Sequence, residues 1–341
     1  MKKLIGLLVF LIAGCSDQKT ITTSSDNPSN ENGVPQYTEL QNGGVKMISI
    51  DGKYQVWTKK IGSGNIKVLL LHGGPGFPHD YYECFEDFFP QSGIEIYYYD
   101  QLGCGNSDIP TDTSLWNIAR YVEEVEQVRK GLGLEKFYLY GQSWGGMLAM
   151  EYLQKYQDHV KAAVISNMTA GMKSYTGYTS RLKQKLFTQQ EIKTYDSLDK
   201  LGLHTSAEYQ DLLMNKLYSK VICQLNPWPE PVMRSLKKMN PEIYIQMQGV
   251  DEFHVTGNFK NWEMWDRLPN IKVPTLVIGG MKDEMNPDDI IKEGKLIPNS
   301  RTYLCPNGSH MSMYDDQQNY FNNLIAFLKD VEGDKFKADP K

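Results

Sequence analysis

Phe137-Tyr138-Leu139-Tyr140-Gly141-Gln142-Ser143-Trp144-Gly145-Gly146-Met147-Leu148 is the stretch that decides the fold. Its first four residues form an unbroken aromatic and aliphatic run, as in a strand buried on both faces. After Gly146 the chain turns to helix-forming apolar residues, among them Met147, Leu148, Met150, Tyr152 and Leu153. Between strand and helix stands G-x-S-x-G. In that context the pattern describes a sharp, strained turn that lifts a serine hydroxyl out of the sheet, with Gly141 and Gly145 where side chains would collide with neighbouring strands. Ser143 is therefore the candidate nucleophile, against the alternative of a small residue in a tight turn.

Working outward, the same rhythm recurs. Short apolar or aromatic runs, most of them ending in Gly, Asp or Asn, lie at Lys67–His72, Ile94–Asp100, Ala162–Asn167, Thr275–Gly279 and Arg301–Leu304. Between Ile94–Asp100 and Phe137–Tyr140, the stretch Ser114–Leu132 sets Leu115, Ile118, Val122, Val125 and Leu132 on one helical face. Buried strands alternating with amphipathic helices predict an α/β fold, a mostly parallel sheet covered on both faces. Residues 44–60 read as an antiparallel hairpin at its start. From about Ala170 to Leu268 the strand rhythm stops, and the spacing predicts helices over Arg181–Phe187, Gln189–Leu201, Ala207–Cys223 and Pro231–Met239. This block reads as a helical cap inserted at 170–268 into a core made of 41–169 and 269–335, closed by a helix over Asp316–Val331.

A serine hydroxyl needs a base to take its proton and a carboxylate to orient that base. Of the six histidines, His72 sits in a glycine loop, His79 and His159 border helices, and His204 and His254 lie in the insertion. That leaves His310, on a loop after the last strand. Asp283 follows the strand at Thr275–Ile278, and the order Ser143, Asp283, His310 is the order of α/β hydrolases. Asp283 could instead cap a helix at Pro287-Asp288-Asp289, and Glu284 or Asp288 could be the orienting acid. Acyl transfer also needs two N–H donors for the oxyanion, one from the residue after the nucleophile and one from an early strand-to-helix loop. Trp144 and Gly74 of His72-Gly73-Gly74-Pro75-Gly76 occupy those places, with His72 a structural hydrogen-bonder. The absence of GK[ST] and GxGxxG excludes a phosphate-binding reading of the glycine loop.

His72–Gly76, Asp100-Gln101-Leu102-Gly103-Cys104-Gly105-Asn106-Ser107 and Gly141–Gly146 together resemble the proline iminopeptidase family of α/β hydrolases, over roughly Val45 to the last helix. The resemblance implies a serine aminopeptidase that releases N-terminal proline or another small apolar residue from short peptides or amides. It also implies a helical cap whose glutamates receive the substrate amino group, with Glu252 matching one of them. Lys216 stands where many members carry a further glutamate. The alternative use of the same triad is as an esterase, lactonase or amino-acid amidase, since a fold of this kind hosts many functions. Asp is not at 143, which excludes dehalogenase and epoxide hydrolase chemistry. An intact constellation argues against a surface binding module.

The ends and the composition set the remaining bounds. Met1-Lys2-Lys3 followed by apolar Leu4–Ile12 and Leu11-Ile12-Ala13-Gly14-Cys15 reads as a signal peptide over 1–15 with a lipobox, so Cys15 is expected to carry lipid and tie the protein to a bacterial membrane. Residues 16–40, rich in Ser, Thr, Asn and Asp, read as a disordered tether. The chain has 341 residues, 40% of them hydrophobic, and a net charge of -5 with no basic stripe, which excludes nucleic acid as a partner. Cys84, Cys104, Cys223 and Cys305 show no metal-ligand spacing, so neither a metal nor a cofactor is expected.

Overall fold

The computed structural model describes residues 42–340. The signal segment, Cys15 and the tether expected over 1–40 lie outside the described residues. No helix among the described residues is long and apolar enough to cross a membrane.

The chain opens with an antiparallel hairpin, β1 (Val45–Ile50) and β2 (Tyr54–Ile61), in which Val45 faces Lys59 and Ile50 faces Tyr54. Then follow β3 (Ile66–Leu71), β4 (Ile94–Tyr99), α1 (Ile118–Leu132), β5 (Phe137–Gln142), α2 (Trp144–Tyr156) and β6 (Val160–Ser166). An insertion carries α3 (Met172–Leu186), α4 (Gln189–Lys200), α5 (Ala207–Asp211), a π-helical segment Leu212–Tyr218, and the turn α6 (Ser219–Val221). It continues with α7 (Glu230–Lys238), α8 (Pro241–Met247) and a short hairpin of β7 (Gly249–Asp251) and β8 (His254–Val255). The sheet resumes with β9 (Thr275–Gly280), α9 (Pro287–Leu296) and β10 (Ser300–Cys305), before α10 (Ser312–Asp315) and α11 (Gln317–Glu332).

Eight strands form one sheet in the order β1-β2-β4-β3-β5-β6-β9-β10, parallel from β4 onward to β10. Period-two alternation splits its core. Leu69, Leu71, Tyr99 and Leu139 pack on one face with Val125 of α1 and Leu148 of α2. Val68, Leu70, Tyr98 and Tyr140 pack on the other with Phe321 and Leu324 of α11. A third apolar cluster, with Tyr195, Tyr209 and Leu217, lies within the insertion. The expected α/β fold is the observed one.

Boundaries differ from the sequence reading where capping outweighs periodicity. The helix expected from Ser114 begins at Ile118, because Asn117 caps it by accepting from the Arg120 N–H at 3.0 Å; Thr113–Leu115 is a separate 3₁₀ turn. The single helix expected over Ala207–Cys223 is three successive segments. In the insertion, α3 starts nine residues before the expected Arg181, and α8 and the β7–β8 hairpin were not expected at all. Asn240 followed by Pro241 is the local start signal for α8, with Asn240 accepting from the Glu242 N–H at 3.0 Å. Cys84, Cys104, Cys223 and Cys305 are all buried free thiols.

Candidate active site

Ser143 sits at the end of β5 with φ 56° and ψ −129°, a conformation that costs energy in any residue with a Cβ. The turn is held by its neighbours. The Ser143 N–H donates to the Ser166 carbonyl at 3.0 Å, and the Gly146 N–H donates back to Ser143 at 2.7 Å. A Cβ on Gly145 would stand 1.9 Å from the Leu71 carbonyl oxygen, so α2 meets β3 here only through bare backbone.

His310 and Asp283 arrive on the loops after β10 and β9. Asp283 Oδ1 accepts from His310 Nδ1 at 3.0 Å and from the Met285 N–H at 3.0 Å. Its Oδ2 accepts from Asn167 Nδ2 at 2.7 Å, and that amide also donates to the Ser309 carbonyl at 3.1 Å. With Nδ1 committed to Asp283, the remaining ring nitrogen of His310 is free to serve a hydroxyl. Burial opposes the charged imidazolium, but the charge and hydrogen bond of Asp283 outweigh it and hold the His310 pKa above its ordinary value. Asp283 does not cap the following helix; Asn286 does, accepting from the Asp288 N–H at 3.2 Å. Glu284 Oε1 lies 3.8 Å from His310 Nδ1, beyond hydrogen-bond reach.

The glycine loop packs against this turn. The Gly73 N–H is taken by the Tyr81 hydroxyl at 2.6 Å, and that hydroxyl donates to Gln142 Oε1 at 3.0 Å. Gln142 Nε2 in turn donates to the His310 carbonyl at 3.2 Å, so the loop, the elbow and the histidine loop form one polar chain. Gly74, at φ 112°, lines the cavity beside Ser143 and borders Trp144. His72 is fully buried, its Nε2 accepting from the Gln101 N–H at 2.9 Å and its Nδ1 donating to the Gly73 carbonyl at 3.0 Å. Burial lowers its pKa to about 4, so it is a neutral strut. Asp100 braces the neighbouring loop by accepting from His79 Nδ1 at 2.7 Å and from the Asn106 N–H at 2.9 Å.

A cavity of about 400 Å³ opens over Ser143 and His310, walled on its far side by Leu213, Met214, Trp228, Val232 and Leu236 of the insertion. Glu252 projects into it, half-buried. Tyr244 donates to its Oε1 at 2.6 Å, and Tyr175 and Gln248 donate to its Oε2 at 3.1 and 2.8 Å. All three donors are neutral. Two cations of the insertion are engaged elsewhere, Lys216 with Glu191 at 3.1 Å and Arg267 with Glu151 at 2.6 Å. Glu284 is fully buried, and neither carboxylate oxygen has a hydrogen-bond partner. Burial, with the charges of Glu252 and Asp283 added, pushes its pKa well above the usual range. Burial also raises that of Glu252, which shares the same negative region. A narrow niche of about 10 Å³ shares Gly74, Ser143 and Glu252 with this cavity and is lined further by Trp144, Met147, Met168, Met172, Phe259 and Met285.

Comparison with known proteins agrees with this architecture. The model of the α/β hydrolase fold family matches residues 67–317. Proline iminopeptidase of Chitinophaga pinensis is 45% identical over 285 residues, 82% of this chain and 95% of that protein. Its namesake in Flavobacterium johnsoniae is 44% identical over 287 residues, 83% of this chain and 97% of the relative. The chain belongs to the proline iminopeptidase family of α/β hydrolases. The crystal structure of the proline iminopeptidase of Mycobacterium smegmatis superposes with a TM-score of 0.79 at 27% identity, covering 85% of this chain and 99% of that one.

Within this family member, two residues near the site escaped the sequence reading as site residues. Asn167, at φ 47°, ends β6 and reaches Asp283 across 116 positions. An Asn closing an apolar strand is the only local signal, and it does not name the partner. Glu284 was visible only as a rival to Asp283. Its burial without a counter-ion depends on what packs around it, which spacing does not report.

Proposed function

We infer that this iminopeptidase-family protein is a serine aminopeptidase releasing N-terminal proline or another small apolar residue from short peptides and amides through an acyl-enzyme. The observation that carries the reading is a pair of glutamates, Glu252 and Glu284, beside the serine turn, with no lysine or arginine among the described residues paired to either and only the catalytic imidazole near them. One buried and one half-buried carboxylate without a lysine or arginine are costly unless a ligand supplies the positive charge. The free amino group of a peptide does so. Simple esters and lactones bring no such charge, so their hydrolysis gives these residues no role.

In the proposed mechanism, the ammonium of the substrate lies against Glu252, and its positive charge favours release of the proton that Glu284 holds behind it in the free protein. Ser143 Oγ attacks the carbonyl carbon while His310 Nε2 takes its proton, and Asp283 holds the imidazole in the required tautomer. The oxyanion accepts hydrogen bonds from the backbone N–H groups of Gly74 and Trp144, each worth on the order of 3 kcal/mol. His310 then gives its proton to the leaving amine, and the shortened peptide departs into the large cavity. Water, deprotonated by His310, cleaves the acyl-enzyme and frees the N-terminal residue. The pyrrolidine ring enters the niche of Trp144 and Phe259 as its four methionines, flexible and polarizable, give way.

The reading is tested on prolyl and alanyl chromogenic amides, their N-acetylated forms and short-chain esters. Free prolyl amides are expected to turn over fastest, and acetylation to lower kcat/KM by about 10-fold or more. Equal rates on blocked and free substrates would replace the aminopeptidase by an amidase or esterase.

We further propose that the protein is exported and anchored to a bacterial membrane by lipid on Cys15, a reading supported by the basic start, the apolar segment and the small residues before that cysteine. Full-length protein should partition with membranes, and a chain begun at Pro35 should be soluble and equally active. An intact mass matching an unlipidated chain that begins at Ser16 or earlier would refute it.

A further inference from the structure

We propose that Asp199, His204 and His254 form a binding site for one divalent transition-metal ion of the zinc class, on the insertion and apart from the serine centre. Asp199 is in the last turn of α4, His204 in the turn that follows, and His254 opens β8. Fifty positions separate the two histidines, so no spacing in the sequence announces the cluster. In the fold, Asp199 Oδ1 is 2.9 Å from His204 Nε2 and 2.5 Å from His254 Nδ1. One ligand atom from each of the three lies within 4.8 Å of the other two.

Metal–ligand bonds of about 2.0–2.2 Å in tetrahedral geometry place ligand atoms roughly 3.3 Å apart. The two separations from Asp199, 2.9 and 2.5 Å, are shorter than that value by less than about 1 Å, and small side-chain rotations bring them to it. The side chains of Asp199, His204 and His254 keep 21%, 26% and 35% of their surface exposed, so an ion can enter and water can complete its shell. Each neutral imidazole shifts its proton to its other ring nitrogen, and the ion replaces two hydrogen bonds with three metal bonds. Two imidazoles and one carboxylate favour Zn²⁺, Co²⁺ or Ni²⁺ over Mg²⁺ and Ca²⁺, which select oxygen.

The position gives the ion leverage on the insertion. β8 is the return strand of the hairpin that carries Asp251 and Glu252. Tyr195 of α4 already donates to Asp251 Oδ2 at 3.1 Å, as does Tyr209 of α5. An ion held by Asp199, His204 and His254 replaces the direct Asp199–His254 contact between α4 and this hairpin with metal bonds, and so steadies the segment that presents Glu252.

The test uses the full-length, tag-free protein in detergent, stripped with a chelator and titrated with Zn²⁺ against a chromophoric competitor. The expected result is one ion per chain with a Kd below about 10 µM, a rise in Tm at saturating Zn²⁺, and, with Co²⁺ substituted, visible d–d absorption. His204→Ala and His254→Ala should each weaken binding at least tenfold and abolish the Tm rise. His310→Gln should keep both, which separates this site from adventitious binding at the serine centre. Binding weaker than about 10 µM in the wild type, or binding that survives both His204→Ala and His254→Ala, overturns the proposal. If one alanine variant fails to fold, the other and the Co²⁺ spectrum of the wild type still decide it.

Discussion

Ser143→Ala is expected to lower kcat on a prolyl amide by at least roughly 10³-fold, with KM and unfolding midpoint close to those of the wild type. The substitution deletes the attacking oxygen and leaves the elbow's backbone bonds and glycine contacts in place. His310→Gln should fall as far. Asp283→Asn should come close, since an imidazole without its carboxylate adopts the wrong tautomer. Asp283→Asn also makes a directional claim about pH. Asp283 raises the His310 pKa, so its removal should carry the acid limb of kcat/KM to lower pH. The stability sign is separate: a raised imidazole pKa stabilises the fold below about pH 6.5 and is lost as pH rises through the folded value, so Asp283→Asn loses stability most in acid. Turnover of Ser143→Ala at the wild-type rate would remove the triad assignment altogether.

The second large effect is at the glutamates. Glu252→Gln should lower kcat/KM about 10- to 1000-fold on free prolyl and alanyl amides and leave N-acetylated substrates and neutral esters unchanged. A carboxylate about 4 Å from an ammonium gains up to about 4 kcal/mol at an effective dielectric near 20, before desolvation is subtracted. Glu284→Gln should share the selectivity loss but differ in stability. Its raised pKa means that the folded protein holds a proton the unfolded chain releases, so stability falls as pH rises from the ordinary glutamate value near 4.3 toward the folded one. Replacing it with a neutral amide should therefore raise stability by about 1–3 kcal/mol at pH 8 and much less at pH 4. Urea unfolding at the two pH values, set beside kinetics on free and blocked amides, measures both. A Glu284→Gln variant that is less stable at pH 8 than the wild type would show that the buried carboxylate has a partner after all.

What could be read directly from the chain is what neighbouring residues impose on one another. Phe137–Tyr140 must be a buried strand because it is apolar without interruption, and Gly141 and Gly145 mark a turn tight enough to exclude side chains. Those constraints act over a few residues, so the α/β fold, the serine turn and the glycine loop were legible in the sequence alone. His310 and Asp283 were reached by elimination and order, a weaker argument that left Glu284 and Asp288 open. Their separation came only from distance: Asp283 is 3.0 Å from the His310 ring, Glu284 Oε1 is 3.8 Å away, and Asp288 sits in the first turn of α9.

The insertion was least legible. Its helices draw their boundaries from caps and from packing on the core, so α3, α8 and the β7–β8 hairpin departed from periodicity. Charge pairing there is decided by the folded path of the chain. Glu252 keeps neutral partners while Lys216 and Arg267 find Glu191 and Glu151, and Asp199, His204 and His254 converge from positions up to 55 apart. The sequence by itself determined the elements and the turn that exposes Ser143, because both follow from local sterics and the burial of apolar runs. Only the tertiary structure decided which charges stay unpaired and which side chains meet, because electrostatic energy depends on distance through space and not on separation along the chain.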